Sequence, residues 1–106
     1  MKQILDEQHD VDFNGNPSGG RTAGNGIDIR WQNGPLGRGA DRKLPNGAFV
    51  EDVLLAALGR LQFYQSGKFA CRENALAITK LEEALHWCGH RTAMREMRGV
   101  EGTHAV

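Results

Sequence analysis

The sequence is short of most features that mark a reactive, secreted or membrane-bound protein. Its thirteen lysines and arginines are matched by thirteen aspartates and glutamates. General DNA binding and adhesion to an anionic bilayer both need a basic excess, and neither is expected here. No apolar run approaches the roughly 18 residues of a membrane span. The opening MKQILDEQHD is too acidic and too briefly apolar to be expected as a secretory signal. The two cysteines, Cys71 and Cys88, have no framework spacing, so a reducing cytoplasm is the expected setting. No Ser–His–Asp set, GxSxG elbow or P-loop occurs, and GNGIDIRWQNG lacks the context of a dinucleotide fingerprint. Catalysis is therefore not expected, and neither is a cofactor.

What is present is unevenly distributed. Residues 1–26, including FNGNPSGGRTAGNG, have turn-forming composition and little apolar content, which reads as a flexible arm. Ile27, Ile29 and Trp31 then alternate with Asp28, Arg30 and Gln32, the pattern of a half-buried strand. Asn33-Gly34 is a strong hairpin-turn signal, so a short β-hairpin is expected over 27–45. Its return side, GPLGRGADRKLPNG, is glycine-rich and irregular.

From Asn46, a candidate N-cap, the apolar period changes to that of a helix. Val50, Val53, Leu54, Ala57, Leu58 and Leu61 predict a helix over 47–65, with Glu51 and Asp52 suiting its first turns. After SGKFAC, the stripe Ala77, Leu81, Ala84, Leu85 and Cys88 predicts a second helix over 72–98. Gly99 is placed to end it in the left-handed conformation, with the tail at 99–106. Gly89, inside this helix, is a poor helix former, costing about 1 kcal/mol. The fold class is thus α+β, mainly α: a short N-terminal β-hairpin, then a long antiparallel helical hairpin.

The arms are unequal. The second helix should outrun the first by about 13 Å, and Arg91, Arg95 and Arg98 lie on this overhang, in one sector with Ala84 and Cys88. Like charges at such spacing repel by roughly 0.2–0.5 kcal/mol per pair. A ligand with several phosphates would offset that cost, since each guanidinium grips phosphate oxygens bidentately. The competing reading, that arginines near a helix C-terminus complement its dipole, is favoured for any one of them but not for all three. The chain is too short to bury a large core, so a homo-oligomer is expected.

Other side chains carry two readings each. Phe63 and Tyr64 can stack a base or cap the hairpin core with Phe69. Asn74 can read a ribose or base edge, or serve the helix start. His86, Cys88 and His90 suggest zinc, but Cys88 falls on another side and the HExxH glutamate is missing, so no metal is expected. Glu82 and Glu83 read as solvated charge.

GIDIRWQNGPLG, CRENALAITKLEEALHW and RTAMREMRGVEGTHAV together resemble the phage Thoeris anti-defence (Tad) signal sponges, relatives of the anti-CBASS (Acb) sponges. The likeness spans residues 26–106. It implies a non-enzymatic protein that sequesters cyclic ADP-ribose isomers, and also cyclic di- or trinucleotides, in the cytoplasm of the infected bacterium. It implies homo-oligomers, typically hexamers, with pockets between protomers. The positions matching the family's ligand contacts are Tyr64 (or Phe63), Asn74, Arg91 and Arg95, with Arg98, Thr103 and His104 as additional contacts. A separate trinucleotide pocket would fall near GPLGRGADR, with Arg38 and Arg42 as candidates. The alternative is a small helical adaptor or oligomerisation module that binds a protein partner.

Overall fold

Backbone pairing, with hardly any apolar side chain to help, organises the first part of the chain. The computed structural model describes residues 5–106. Strands β1 (Asp6–Val11), β2 (Pro17–Gly24) and β3 (Ile27–Asn33) form an antiparallel sheet in the order β1-β2-β3. The expectation of a flexible arm over 1–26 is corrected by this sheet, with residues 1–4 outside the described residues. DEQHDV and PSGGRTAG have no apolar alternation, but backbone hydrogen bonds and turn chemistry do not require it.

Both turns show that chemistry. Asp12 Oδ1 accepts the amides of Asn14 at 2.9 Å and Asn16 at 3.0 Å, and Gly15 takes φ 81°. Between β2 and β3 the Asn25-Gly26 dipeptide turns the chain, with Gly26 at φ 82°. The hairpin thus closes before β3, by an Asn-Gly pair ahead of the one at 33–34. Residues 35–45 do not return as a strand; they hold only a 3-10 turn at Gly39–Asp41.

The sheet's most protected side chain is a polar one. Thr22 is 4% exposed, and its Oγ1 accepts a hydrogen bond from Trp31 Nε1 at 2.8 Å. On the outer edge of β3, Ala48 forms a parallel bridge with Trp31. Asn46 does not cap the first helix. Its Oδ1 accepts the Asn33 amide at 2.8 Å while its Nδ2 donates to the Asn33 carbonyl at 3.0 Å. The side-chain amide imitates a strand partner, a use open to any amide near an unpaired strand edge.

Helix α1 (Val50–Gln65) and helix α2 (Arg72–Met97) make a separate compact unit, the sheet and Arg98–Val106 making the other. The α+β class, a hairpin sheet followed by a helical hairpin, is therefore as expected. Leu58 is the core of the hairpin at 8% exposure, supported by half-buried Val53, Leu54 and Leu61 from α1 and Ala77, Leu81, Ala84 and Leu85 from α2. Helix α2 runs unbroken through Gly89, and Gly99 takes φ 72° after its end. Meanwhile Leu55, Phe63, Trp87, Met94 and Met97 are exposed.

Candidate functional site

Sixteen residues in α1 and twenty-six in α2 correspond to about 24 and 39 Å of helix. Late in α2 the Cys88 thiol faces Glu51 in the first turn of α1. Burial and the hydrogen bond to Glu51 raise the thiol above its ordinary range. Arg91 and Arg95 follow Cys88 by about one and two turns along α2. Arg91 is exposed and Arg95 half-buried.

At the opposite end of the hairpin sit the aromatic and amide candidates. Phe63 and Tyr64 are both exposed, their ring centroids 6.0 Å apart at an interplanar angle of 53°. The Arg60 guanidinium lies 5.0 Å from the Phe63 centroid and 4.9 Å from that of Tyr64, and its Nε donates to the Tyr64 hydroxyl at 3.1 Å. Arg60 was absent from the sequence-based set. The i, i+3 and i+4 spacing to two aromatics was the signal that could have found it.

The turn beneath the rings is made by side chains acting as backbone. Gln65 Nε2 donates to the Cys71 carbonyl and Gln65 Oε1 accepts the Cys71 amide, each at 3.0 Å. Cys71 Sγ accepts the Asn74 amide at 3.4 Å, so the thiol caps α2. Asn74 Nδ2 donates to the Phe69 carbonyl at 3.2 Å. That contact is the helix-start role weighed for Asn74, and it also holds the side chain beside the turn.

The tail candidates belong to the sheet unit. Thr103 Oγ1 donates to the Val100 carbonyl at 2.6 Å and accepts the Ala105 amide at 3.2 Å. Arg98 donates to the Val106 carbonyl, and His104 is exposed. Arg38 donates to the Gly99 carbonyl. Arg42 grips Glu101 bidentately, NH1 to Oε2 at 2.7 Å and NH2 to Oε1 at 2.9 Å. The loop arginines thus turn toward the chain's own tail.

His86 and His90 both pack edge-on against Trp87, with centroids 5.6 and 5.7 Å away. Cys88 faces Glu51 instead, and no group of three or more metal-ligating side chains occurs among the described residues. No helix among them is long and apolar enough to cross a membrane.

Residues 23–93, more than half of the chain, match the family model described as the Acb2/Tad1 hairpin domain. The chain belongs to that family. The match includes Arg38, Arg42, Phe63, Tyr64, Asn74 and Arg91, and stops short of Arg95 and the tail. A curated relative, "Thoeris anti-defense 1" of Bacillus phage SBSphiJ7, is 61% identical over 59 residues, covering 56% of this chain and 42% of the relative. The matched segment is thus less than half the length of that relative.

Proposed function

We propose that this Acb2/Tad1 hairpin-domain protein is a phage anti-defence sponge. It would bind cyclic ADP-ribose isomers, and also cyclic di- or trinucleotides, and hold them uncleaved in the cytoplasm of the infected cell. The name of the curated relative supports the Thoeris side of this reading. Phe63 or Tyr64 would stack the base, Asn74 would read an edge, and Arg91 and Arg95 would take the phosphates, with Arg98, Thr103 and His104 adding contacts. Nanomolar retention corresponds to about 12 kcal/mol, within reach of charge-assisted contacts and stacking in an enclosed pocket.

One observation carries the reading. Asn74 and Arg91 are on the same unbroken helix, separated by about 26 Å along its axis. A small messenger cannot touch both in one chain. Two copies paired antiparallel about a two-fold axis would bring the aromatic end of one against the guanidinium end of the other, in keeping with the homo-oligomers, typically hexamers, that the family resemblance implies. The exposed Trp87, Met94 and Leu55 supply apolar surface for such pairing.

A thermal-shift panel of cyclic ADP-ribose isomers and cyclic di- and trinucleotides tests the ligand class. Silence across the panel would leave the adaptor reading. Recovery of intact nucleotide after heating the complex supports sequestration, whereas hydrolysed product would make the protein an enzyme. The shared pocket has its own test. Asn74→Ala and Arg91→Ala variants should each lose binding, and co-expression should restore about a quarter of the sites, because mixed two-fold pairs retain one intact pocket. Arg95→Ala should weaken binding far more than it lowers thermal stability.

A second pocket at Arg38 and Arg42 would require a ligand to take both guanidinium groups from the tail. Their present partners favour a different part for them.

A further inference from the structure

A tail proposed to touch an anionic messenger contains a carboxylate, Glu101, two residues before Thr103. Left alone it would repel the ligand. Its oxygens are instead both taken by Arg42, in the parallel two-bond arrangement that fixes orientation as well as distance. Arg42 NH1 also donates to the Gly37 carbonyl at 3.1 Å. The Gly37 amide donates to the Gly102 carbonyl at 2.9 Å, and Arg38 donates to the Gly99 carbonyl. Loop 37–42 therefore grips the tail at residues 99, 101 and 102.

The backbone is shaped for this grip. Gly102 sits at φ 78°, and a Cβ there would come within 2.4 Å of the Gly37 carbonyl oxygen. Gly37 is also left-handed, at φ 86°. Only glycine permits both conformations and the close approach. Thr103 follows directly, its amide and hydroxyl both donating to the Val100 carbonyl. The tail is thereby given one conformation by residues 59 or more positions earlier in the chain.

We propose that Glu101 is a positioning residue for the messenger site. With Arg42 it fixes the conformation of the tail from Gly99 to Thr103, the segment that leads into the additional contacts of that reading, and its pairing cancels the charge that would repel an anion. This rests on the sponge reading. Arg42 is on this account the holder of the tail and makes no contact with the messenger.

The test uses the full-length chain, with cyclic ADP-ribose, its linkage isomers and cyclic tri-AMP as probes. Glu101→Ala and Arg42→Glu should each weaken the probe that binds the wild type by about tenfold or more, a change of about 1.4 kcal/mol. Both variants should retain helical circular dichroism. The exchanged pair Arg42→Glu/Glu101→Arg should recover affinity to within about threefold, since the ion pair is re-formed with opposite polarity. Exchange of the Gly37 amide with deuterium should accelerate in the single variants and slow again in the exchanged pair. If Arg42 reads phosphate itself, the exchanged pair binds no better than Arg42→Glu, and the proposal fails. Unchanged affinity in Glu101→Ala also overturns it, while leaving the sponge reading intact. A wild type that binds none of the probes overturns both.

Discussion

The sheet and the helical hairpin are held together by opposite means, and their glycines show it best. Gly20, in β2, has φ 137°, and a Cβ there would lie 2.1 Å from the Gln8 carbonyl oxygen of the neighbouring strand. Gly89, in α2, would present a Cβ to open space. In the sheet the backbone geometry is the structure, and Thr22 with Trp31 adds a polar fastening. In the hairpin the side chains are the structure, and the backbone would accept almost any residue. Sequence tolerance should therefore be inverted between the two units: glycines fixed and apolar residues few in one, apolar residues fixed and glycines replaceable in the other.

The largest effect should come from Gly20→Ala, which forces β1 away from β2. Amide exchange across β1 should become fast while the helices keep their protection; a variant with β1 still protected would break the comparison. Next comes Leu58→Ala, at about 2–3 kcal/mol, the low end for a leucine truncation because the surroundings are only half-buried. Chemical denaturation should show the loss in the helical signal. Thr22→Val should cost about 1–2 kcal/mol, because it leaves the Trp31 indole N–H without its acceptor. That variant sharpens the claim that the sheet's best-buried contact is a hydrogen bond. In the other direction, Gly89→Ala should stabilise by about 0.5–1 kcal/mol. Destabilisation instead would mean that another helix approaches this position closely.

The smallest effect is electrostatic. Arg21 and Asp28 pair across β2 and β3 at 2.8 and 2.9 Å, and that hydrogen bonding holds the Asp28 carboxyl below its usual range. A carboxylate whose folded value is lowered stabilises the fold above its unfolded value and loses that contribution as pH falls through the folded one. Asp28→Asn should therefore flatten a shallow acid-side decline in sheet protection. Both groups are exposed, so solvent screening keeps the effect small.

The hairpin was legible because its signals are periodic. Val53, Leu54, Leu58 and Leu61 recur at helical spacing, and Gly99 marks the end by a conformation few other residues adopt. The sheet was half legible. Ile27, Ile29 and Trp31 announce β3, but β1 and β2 carry glycine, serine and charge where apolar residues would have declared them. Their partners are backbone groups, which every sequence possesses. Asn46 misled for a related reason: an asparagine ahead of a helix satisfies whichever amide is nearest, here that of Asn33. Within the candidate site, the placement of Arg91 and Arg95 on α2 and of the aromatics at the end of α1 could be read directly, whereas Arg98, expected on the same helix, lies one residue past its end. Arg60 between the rings and Glu101 in the Arg42 fork could not, since each depends on a contact, one across a helical turn and one across most of the chain.

The uninterrupted stretch from Asn74 to Arg91 makes α2 a measuring rod as well as a scaffold. Losing one residue from it would slide the guanidinium end by about 1.5 Å and swing it through about 100°. Substitutions of its exposed charges, such as Glu82 and Glu83, are cheap by comparison. If the pocket is shared between copies as proposed, the spelling of that segment can drift among descendants of this chain while its number of letters stays put.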